Sequence, residues 1–406
     1  MKLLILTQYY PPEIGAPQNR LHELAVRLKN KNIHVEVLTA LPNYPKMEVF
    51  EDYRRKQKRQ EYIEGISVHR SWIYVSKSKR ILSRLLNYFS FVWSSYWKGR
   101  KLGEFDFLLV ESPPLFLGYS AMALSRKLNA KLIFNVSDLW PESAEKLGLV
   151  TNRQLLNLAY RLEHKCYAKA SLITGQTQGI VDDIKGRFPD KKVTWLPNGV
   201  DVSFYDPSKI GESDFRLKND FKPNDIIFFY GGILGYAQGL EIIIEVANQL
   251  EDYPNAQFVI QGAGPEKEKL QILSEKYRLE NVHFLEPVKK SEMPSILKAI
   301  DIAVIPLKNL DLFRGAIPSK IFEALAMRKP LLLGVDGEAK KHFIDRAKAG
   351  RFYEPEDTES MKAQIIFMLE NKTDLAEMGV NAREYVSEVF DRNKIAGGLF
   401  DTLQNM

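Results

Sequence analysis

The chain of 406 residues has a single cysteine, Cys166, so it forms no internal disulfide and holds no metal on a cysteine cluster. Such sparse cysteine usage is typical of a reducing cytoplasm. None of the six histidines pairs with another at the spacing of a helical metal site, and no Asp-x-Asp motif occurs. No apolar run approaches the roughly 20 residues that span a bilayer. We therefore expect neither a resident metal or cofactor nor a membrane span.

Charge is distributed unevenly along the chain, although the net value is only +6. Residues 1–200 contain 31 Lys and Arg against 18 Asp and Glu, whereas the remainder contains 26 against 33. A basic half joined to an acidic half suggests that the basic half faces a polyanion. The candidates are nucleic acid, a phosphorylated substrate and an anionic membrane.

Short apolar segments alternate with helical patterns throughout, which predicts an α/β fold with two doubly wound parallel sheets, one in each of two domains. Turn chemistry at 197–201 separates the domains, which we place at 1–200 and 201–406, and we expect the last helix, about 391–404, to pack back on the first. Sheets facing each other would bind ligands in the cleft at their carboxyl ends. The predicted strands are 3–6, 35–38, 107–110, 132–135, 172–174 and 193–196 in the first half, and 226–230, 258–261, 282–284, 302–305 and 331–333 in the second.

A helix start at Pro318-Ser319-Lys320 follows the apolar strand 302–306, and Glu323 lies one turn further on. A helix N-terminus offers unpaired N–H groups and the positive end of a dipole, which suit a phosphate. A carboxylate one turn inside can accept hydrogen bonds from two ribose hydroxyls. The pattern predicts a sugar-nucleotide site, and the alternative is a surface helix with a serine cap and a solvated glutamate.

Glycines occur after the first strand of each half, Gly15 in one and Gly231-Gly232 in the other. A glycine at such a turn lets the backbone approach an anion closely, so both loops are candidate donor-binding elements. Plain turns between strand and helix would show the same residues.

Asp138 follows the predicted strand 132–135, where a residue facing the ligand cleft is expected. The alternative is a helix cap, because an aspartate before an aromatic residue and a proline often begins a helix.

Six aromatic residues occur within 88–97, with basic residues on either side. This composition is typical of an interfacial membrane segment, and a buried aromatic helix is the alternative. Nucleic acid is not an expected partner, because no known nucleic-acid-binding module is present. The predicted membrane-facing residues are Arg80, Arg84, Trp93, Trp97, Lys98, Arg100 and Lys101.

Taken together, these motifs resemble family 4 of the retaining GT-B glycosyltransferases along essentially the whole chain. The similarity is to a subgroup that adds amino- or deoxysugars in bacterial capsule and O-antigen synthesis, including L-fucosamine transferases. The residues that carry the resemblance are 9–16 (YYPPEIGA), 41–45 (LPNYP), 111–115 (ESPPL), 138–143 (DLWPES), 197–201 (PNGVD) and 318–326 (PSKIFEALA).

The resemblance implies a nucleotide-sugar donor on the C-terminal domain and an acceptor on the N-terminal domain. Glu323 matches the second glutamate of the family's paired-glutamate motif, which binds the ribose, and Gly315 replaces the first. Ile233 and Gln238 occupy positions near those where many relatives have the arginine and lysine that bind the diphosphate. In the similar subgroup glutamine is frequent at the position of Gln238. Ser137-Asp138 corresponds to a loop that often carries His-Asp.

We therefore expect a cytoplasmic, peripheral membrane, metal-independent retaining glycosyltransferase that extends a polyprenyl-diphosphate-linked saccharide. The expected donor is a UDP-N-acetylated sugar such as UDP-L-FucNAc or UDP-GlcNAc. The expected catalytic residues are Asp138 and Lys320, and the expected donor-binding residues are Gly15, Gly231, Gly232, Gln238, Ser319, Lys320 and Glu323. The alternatives are a nucleotide-sugar epimerase, which would need acid/base carboxylates in the cleft, and a non-catalytic nucleotide-sugar-binding partner. A donor screen with a lipid-diphosphate acceptor separates all three.

Overall fold

The computed structural model describes residues 1–13, 15–54, 59–78 and 80–406. It divides the chain into two compact units, the first formed by Met1–Asn198 with Ile395–Met406 and the second by Gly199–Lys394. Ile14, within one of the motifs above, lies outside the described residues. Within those residues no helix is both long enough and apolar enough to cross a membrane.

The first unit contains an eight-stranded sheet in the order β3-β4-β2-β1-β5-β6-β7-β8. Its neighbouring strands are parallel except for the antiparallel pair β3 and β4. The strands are β1 Lys2–Leu6, β2 His34–Ala40, β3 Gln60–Ile63, β4 Ile66–Ser71, β5 Phe107–Ser112, β6 Lys131–Val136, β7 Leu172–Gly175 and β8 Val193–Trp195. The helices are α1 Ala16–Asn30, α2 Ile81–Gly99, α3 Leu117–Lys127, α4 Glu142–Lys146, α5 Arg153–Lys169 and α6 Gln178–Arg187, with the chain's last helix, Arg392–Gln404, belonging to this unit from Ile395 onward.

The central strands of this sheet are apolar on both faces because helices cover both. Leu4 and Leu6 belong to the core on one face, with residues of α2, α3 and α5, whereas Leu3 and Ile5 belong to the core on the other, with residues of α1 and the last helix. This alternation follows from the two-residue period of a strand.

The second unit contains a fully parallel six-stranded sheet in the order β11-β10-β9-β12-β13-β14. Its strands are β9 Ile226–Ile233, β10 Ala256–Ala263, β11 Val282–Leu285, β12 Ile302–Pro306, β13 Leu331–Gly334 and β14 Gly350–Phe352. Its helices are α7 Phe215–Lys218, α8 Glu241–Ala247, α9 Lys267–Tyr277, α10 Met293–Ala299, α11 Ser319–Ala326, α12 Glu338–Lys340, α13 Thr358–Glu370 and α14 Lys372–Val389, with a π-helix over Lys341–Arg346 and the last helix, α15, beginning at Arg392.

The strand order reverses between β9 and β12, because β10 lies on one side of β9 and β12 on the other. In open parallel sheets, ligands bind outside the carboxyl ends of the strands at such a reversal. The loop after β9 carries Gly231 and Gly232, and the chain after β12 leads to α11. The topology therefore brings two of the sequence-predicted motifs to one place within the second unit.

Candidate active site

Helix α11 begins at Ser319, as the sequence predicts. Its apolar face is fixed by Phe322, whose ring centroid lies 4.9 Å from that of Phe390 and 5.9 Å from that of Phe343. This face is buried, whereas Lys320 and Glu323 are partly accessible to solvent. Ser319 is exposed and follows the N-cap residue Pro318, where no side-chain capping bond forms, so Ser319 is not the helix cap of the alternative reading.

The side chain of Lys320 lies at the carboxyl end of β9. Its Nζ atom is 3.7 Å from the centroid of the Tyr230 ring, and a methyl group added to Gly232 would lie 3.0 Å from the same atom. Tyr230 is itself held by a 2.7 Å hydrogen bond from its hydroxyl to the carbonyl of Ile233. Burial lowers the pKa of Lys320 to about 7, and the charge of Glu323 opposes this shift. The structure thus brings two predicted donor-binding residues together.

Gly232 and Gly262 are register partners at the ends of β9 and β10, and both have a φ of 148°. A Cβ atom on Gly262 would lie 1.8 Å from the carbonyl oxygen of Gly232, and one on Gly264 would lie 2.1 Å from that of Leu234. Only glycine therefore permits this approach of the two strand ends. The Gly-x-Gly pair at 262–264 was not identified from the sequence, although two glycines directly after an apolar strand are a readable signal.

The remaining residues predicted near the diphosphate are Gly231 and Gln238. A methyl group on Gly231 would lie 2.7 Å from the ring of Phe229, so this glycine accommodates a neighbouring side chain. Gln238 ends a 3₁₀-helix over Tyr236–Gln238, and its Oε1 atom would lie 3.0 Å from a Cβ on Gly235. This short helix is followed by the left-handed Gly239 (φ 58°).

A further cation, Lys308, lies against the Gln238 loop and was not predicted. Its Nζ atom is 3.7 Å from the centroid of the Tyr236 ring, and its backbone N–H donates to the carbonyl of Ala237 at 3.0 Å. Lys308 follows β12, and nothing in the local sequence distinguishes it from a solvated lysine.

Glu323 is surrounded by groups that can stabilise its charge. Its carboxylate interacts with the hydroxyl of Tyr205, and the positive charges of Lys290, Arg392 and Lys320 favour its ionised form. Burial nevertheless outweighs these contributions and raises the pKa of Glu323. Gly315, at the position of the family's first glutamate, ends a 3₁₀-helix over Asp311–Gly315, and a Cβ there would have no neighbour within 4 Å.

In the first unit, Asp138 follows β6, and its Oδ1 atom accepts a 2.5 Å hydrogen bond from the hydroxyl of Ser143. The N-cap of α4 is Pro141, without a side-chain capping bond, so Asp138 is not the helix cap that the alternative reading would make it. The Ser143 contact fixes the orientation of the Asp138 carboxylate.

A buried polar network, also not predicted, lies beside Asp138. Arg20 of α1 donates to Glu111 at 2.6 Å and to the hydroxyl of Ser137 at 2.8 Å. Ser137 and Asn135 also donate to Glu111, and Thr174 donates to Asn135 at 2.6 Å. Arg20 is 7% exposed and Glu111 is 4% exposed. The network connects α1 with the carboxyl ends of β5, β6 and β7.

Gly15 precedes α1 with an extended backbone (φ 175°), so its conformation does not require glycine. A Cβ there would lie 2.4 Å from Oε1 of Gln18, so a side chain at this position would require the end of the glutamine to move. The preceding Glu13 is buried and accepts backbone hydrogen bonds from Tyr10 at 3.2 Å, Asn43 at 2.8 Å and Tyr44 at 2.9 Å. This bonding joins the first two motifs of the resemblance in the folded chain.

Helix α2 has exposed apolar side chains along one face. Leu82, Leu86, Phe89, Trp93 and Trp97 recur at spacings of three and four residues, and Trp93 is 62% exposed. Phe91 points into the core instead. The alternative of a wholly buried aromatic helix is therefore wrong for Trp93 and Trp97.

The basic flanks of α2 differ in where they point. Arg80, Arg84, Arg100 and Lys101 are exposed, and the Arg100 guanidinium lies 3.8 Å from the centroid of the Trp97 ring. Lys98 corrects the sequence-based expectation, because its ammonium donates to the backbone carbonyls of Arg59 at 2.6 Å and Arg70 at 2.9 Å. Burial and these two arginines lower the pKa of Lys98 to about 8. This lysine faces the protein and not the surroundings.

Among the residues that the structure describes, no group of three or more histidine, cysteine, aspartate or glutamate side chains is arranged to hold a metal. The site residues of the second unit are instead cations, glycines, a helix N-terminus and one carboxylate.

Two family models match the chain, and together they cover most of both units. Residues 15–199 match the glycosyl transferase 4-like domain, and residues 212–385 match the glycosyl transferases group 1 domain. The chain is 26% identical over 409 residues to WcaI of Escherichia coli K12, a glycosyl transferase assigned to colanic acid biosynthesis, covering 97% of this chain and 98% of that protein.

Several solved structures match the fold over the full length of both chains, and two of them illustrate the similarity. They are sucrose-phosphate synthase from Thermosynechococcus elongatus, with a TM-score of 0.76 and 16% identity, and Anabaena HepE in complex with UDP and glucose, with a TM-score of 0.72 and 18% identity. The chain is a glycosyltransferase of the GT-B fold, composed of a glycosyl transferase 4-like domain followed by a group 1 domain.

Proposed function

We propose that this glycosyltransferase moves a sugar, with retention of anomeric configuration, from a UDP-sugar to a polyprenyl-diphosphate-linked saccharide. The proposed donor is an N-acetylated sugar nucleotide such as UDP-L-FucNAc or UDP-GlcNAc. The proposed setting is capsule, O-antigen or exopolysaccharide synthesis at the inner face of the cell membrane. The similarity to WcaI supports the polysaccharide setting, and the HepE complexes, which contain UDP, support the nucleotide.

One observation supports the donor site most strongly: the Lys320 ammonium lies against Gly232, with Glu323 one turn further along α11. A diphosphate near Gly232 would meet this ammonium together with the N-terminus of α11. The Glu323 carboxylate, already near Tyr205, would accept hydrogen bonds from the ribose hydroxyls.

In the proposed reaction, the bond between the anomeric carbon and the diphosphate oxygen breaks as the acceptor oxygen bonds to the same face of that carbon. The acceptor proton passes to the leaving diphosphate, whose growing charge Lys320 and the helix N-terminus stabilise. We also propose a catalytic role for Asp138, whose carboxylate is held in one orientation by Ser143. Lys308, beside the Gln238 loop, supplies positive charge near the position where relatives have a lysine.

The acceptor side of the proposal rests on α2. We propose that this helix lies in the plane of an anionic membrane with its apolar side chains in the lipid, because an exposed apolar face beside exposed arginines is typical of interfacial helices. A lipid-linked acceptor would then reach the first unit without leaving the bilayer completely.

A donor screen tests the proposal. The purified protein is incubated with UDP-GlcNAc, UDP-L-FucNAc, UDP-glucose and GDP-mannose, together with an undecaprenyl-diphosphate-linked N-acetylaminosugar as acceptor, and the products are analysed by mass spectrometry. We expect extension of the lipid acceptor with a UDP-N-acetylated sugar, an α-linkage from an α-donor by NMR, and undiminished activity in EDTA. Transfer only from GDP-mannose, inversion at the anomeric carbon, or loss of activity that Mg²⁺ restores would contradict the donor, the stereochemistry or the metal independence, respectively.

A further inference from the structure

Three aromatic rings extend from the exposed face of α2 toward the loop that carries Asp138. The ring of Phe89, which is 43% exposed on α2, has its centroid 4.9 Å from that of Phe116, at the start of α3. The ring of Phe116 lies 6.3 Å from that of Trp140. The backbone N–H of Trp140 donates to the carbonyl of Asp138 at 2.9 Å. An apolar path therefore connects the exposed face of α2 with the candidate catalytic loop.

The second and third rings lie at the surface of the core and not within it. Phe116 and Trp140 are partly buried and pack against the core shared by α2, α3 and α5, so each leaves part of its surface open to a ligand. Tyr88 lies beside the path, with its ring centroid 6.1 Å from that of Phe116.

A cation accompanies the apolar path. Arg84 is exposed one helical turn before Tyr88 and is close enough for its charge to lower the pKa of that tyrosine, although burial of Tyr88 raises it more. Hydrocarbon surface next to an exposed guanidinium is complementary to a lipid that carries a phosphate or diphosphate group.

We infer that Phe89, Phe116 and Trp140 form a binding track for the hydrocarbon next to the diphosphate of a prenyl-diphosphate-linked acceptor, with Arg84 contacting that diphosphate. This inference rests on the proposed function for its choice of a lipid acceptor. The track keeps the first isoprene units out of water between the membrane and Asp138, which favours binding through the hydrophobic effect. It explains why aromatic residues continue beyond α2 onto the start of α3 and the Asp138 loop.

The test uses farnesyl diphosphate as the probe, with inorganic diphosphate as the matched ligand that lacks hydrocarbon, and measures affinity by calorimetry on the full-length protein without vesicles. We expect farnesyl diphosphate to bind at least tenfold more tightly than inorganic diphosphate. Phe116→Ser should reduce the affinity for farnesyl diphosphate about tenfold, whereas Phe116→Leu should retain most of it. Equal affinities of wild type and Phe116→Ser would overturn the track.

Trp93→Ser is the control variant, because Trp93 lies on the exposed face of α2 and is not one of the three track rings. It should weaken binding to vesicles and leave the affinity for farnesyl diphosphate unchanged. An equal loss in Trp93→Ser and Phe116→Ser would mean that the probe only partitions onto the apolar face of α2, which would also overturn the track.

A photoreactive benzophenone analogue of geranyl diphosphate gives a second measurement that needs no variant. Crosslinks should map to peptides containing Phe116 or Trp140, and farnesyl diphosphate should compete them away. Crosslinks confined to the peptide with Trp93 and Trp97 would contradict the inference. UDP titrated into the same samples separates the two proposals. If the protein binds UDP but shows no binding of farnesyl diphosphate at the track, only the track is overturned. If it binds farnesyl diphosphate at the track but does not bind UDP, only the donor assignment is overturned.

Discussion

The carboxyl edges of the two sheets are built from different chemistry. In the first unit, Arg20 and Glu111 bind each other and neighbouring polar side chains, and both are nearly inaccessible. In the second unit, the corresponding edge has the glycine pair Gly232 and Gly262 and a lysine whose pKa burial lowers to about 7. Charges that are paired with each other, as in Arg20 and Glu111, contribute mainly to structure. A lysine whose charged form is disfavoured by burial is instead stabilised most by a bound anion. Under the proposed function, the first edge would position Asp138 and the second would bind the charge of the donor.

The largest expected effect is on stability, from Arg20→Ala. Removing the arginine leaves the buried Glu111 without its ion-pair partner, which costs about 3–5 kcal/mol in the free energy of unfolding. Urea unfolding followed by circular dichroism measures this loss, and UDP affinity at a temperature where the variant is folded should be unchanged. Arg126→Ala, at an exposed position on α3, is the control. A stable Arg20→Ala protein that has lost UDP binding would reverse the comparison of the two edges.

Lys320→Ala should affect turnover more than binding, because charge on the diphosphate increases in the transition state. We expect kcat to fall on the order of 100-fold, with a smaller change in the Kd for UDP. The measurements are steady-state kinetics and calorimetry. Lys276→Ala is a matched control, since Lys276 is an exposed lysine 5.8 Å from a tyrosine ring centroid, outside the site. A changed KM with kcat intact would mean that Lys320 supplies only uniform binding.

Glu323→Ala should weaken UDP binding while the fold stays intact. Loss of charge-assisted hydrogen bonds to the ribose costs about 1.5–3 kcal/mol, which corresponds to roughly ten- to a hundredfold in Kd. Calorimetry with UDP and with 2′,3′-dideoxy-UDP measures this, and the variant should bind both nucleotides equally. Glu275→Ala, at an exposed position on α9, serves as control. Normal UDP affinity in Glu323→Ala would remove Glu323 from the donor site.

The affinity for UDP should fall as pH rises above 7. Because burial lowers the pKa of Lys320 to about 7, its ammonium is charged below that pH and neutral above it in the empty site. An anion favours the charged form, so binding should take up a proton, and Kd should increase about tenfold between pH 7 and 9. Lys320→Arg keeps the charge at all these values and should flatten the profile. The same pH dependence in Lys320→Arg would assign the effect to another group.

Per substituted residue, the smallest expected effect is on membrane binding, which concerns the face of the first unit that carries α2. Replacing Arg80, Arg84, Arg100 and Lys101 with serine should reduce cosedimentation with anionic vesicles, since each charge near the surface contributes roughly 1 kcal/mol. Binding should also weaken with salt, because the Debye length at physiological ionic strength is about 8 Å.

A matched variant separates the patch from net charge. It replaces four exposed lysines elsewhere in the first unit, Lys165, Lys169, Lys185 and Lys192, and should leave vesicle binding largely intact. Equal losses in the two variants would mean that net charge, and not the α2 surface, attracts the membrane.

The sequence predicts the strands of both sheets well where they are buried and apolar. It misses the neighbouring strands β3 and β4, because polar and charged residues, among them Glu61 and the fully buried Arg70, hide the apolar pattern of a strand. It also misses the three-residue strand β14, which is too short to show a period. The location of a strand could thus be predicted from the single sequence, except where charged residues or the short length of the strand removed the apolar pattern.

The positions of the candidate site residues in the fold were predictable to the extent that they depend on local pattern. Ser319, Lys320 and Glu323 follow from a strand, a loop and a helix start. The pair of Arg20 and Glu111 does not, because 91 residues separate them and nothing local indicates which charges are paired. The same reason explains the error at Lys98. The basic residues around it predict an exposed side chain, but its ammonium binds the distant backbone carbonyls of Arg59 and Arg70 and therefore faces the protein.

The contact between Gly232 and Gly262 determines where this enzyme can be redesigned. A side chain at Gly262 would collide with the opposing backbone, so a mutational library aimed at a new donor sugar must keep this glycine fixed. Gly315 offers open space, and Ile233 is 66% exposed, so these positions can accept larger or charged side chains without displacing a neighbour. Under the proposed function, evolution toward a different sugar would therefore proceed through loop positions that surround an invariable Gly262.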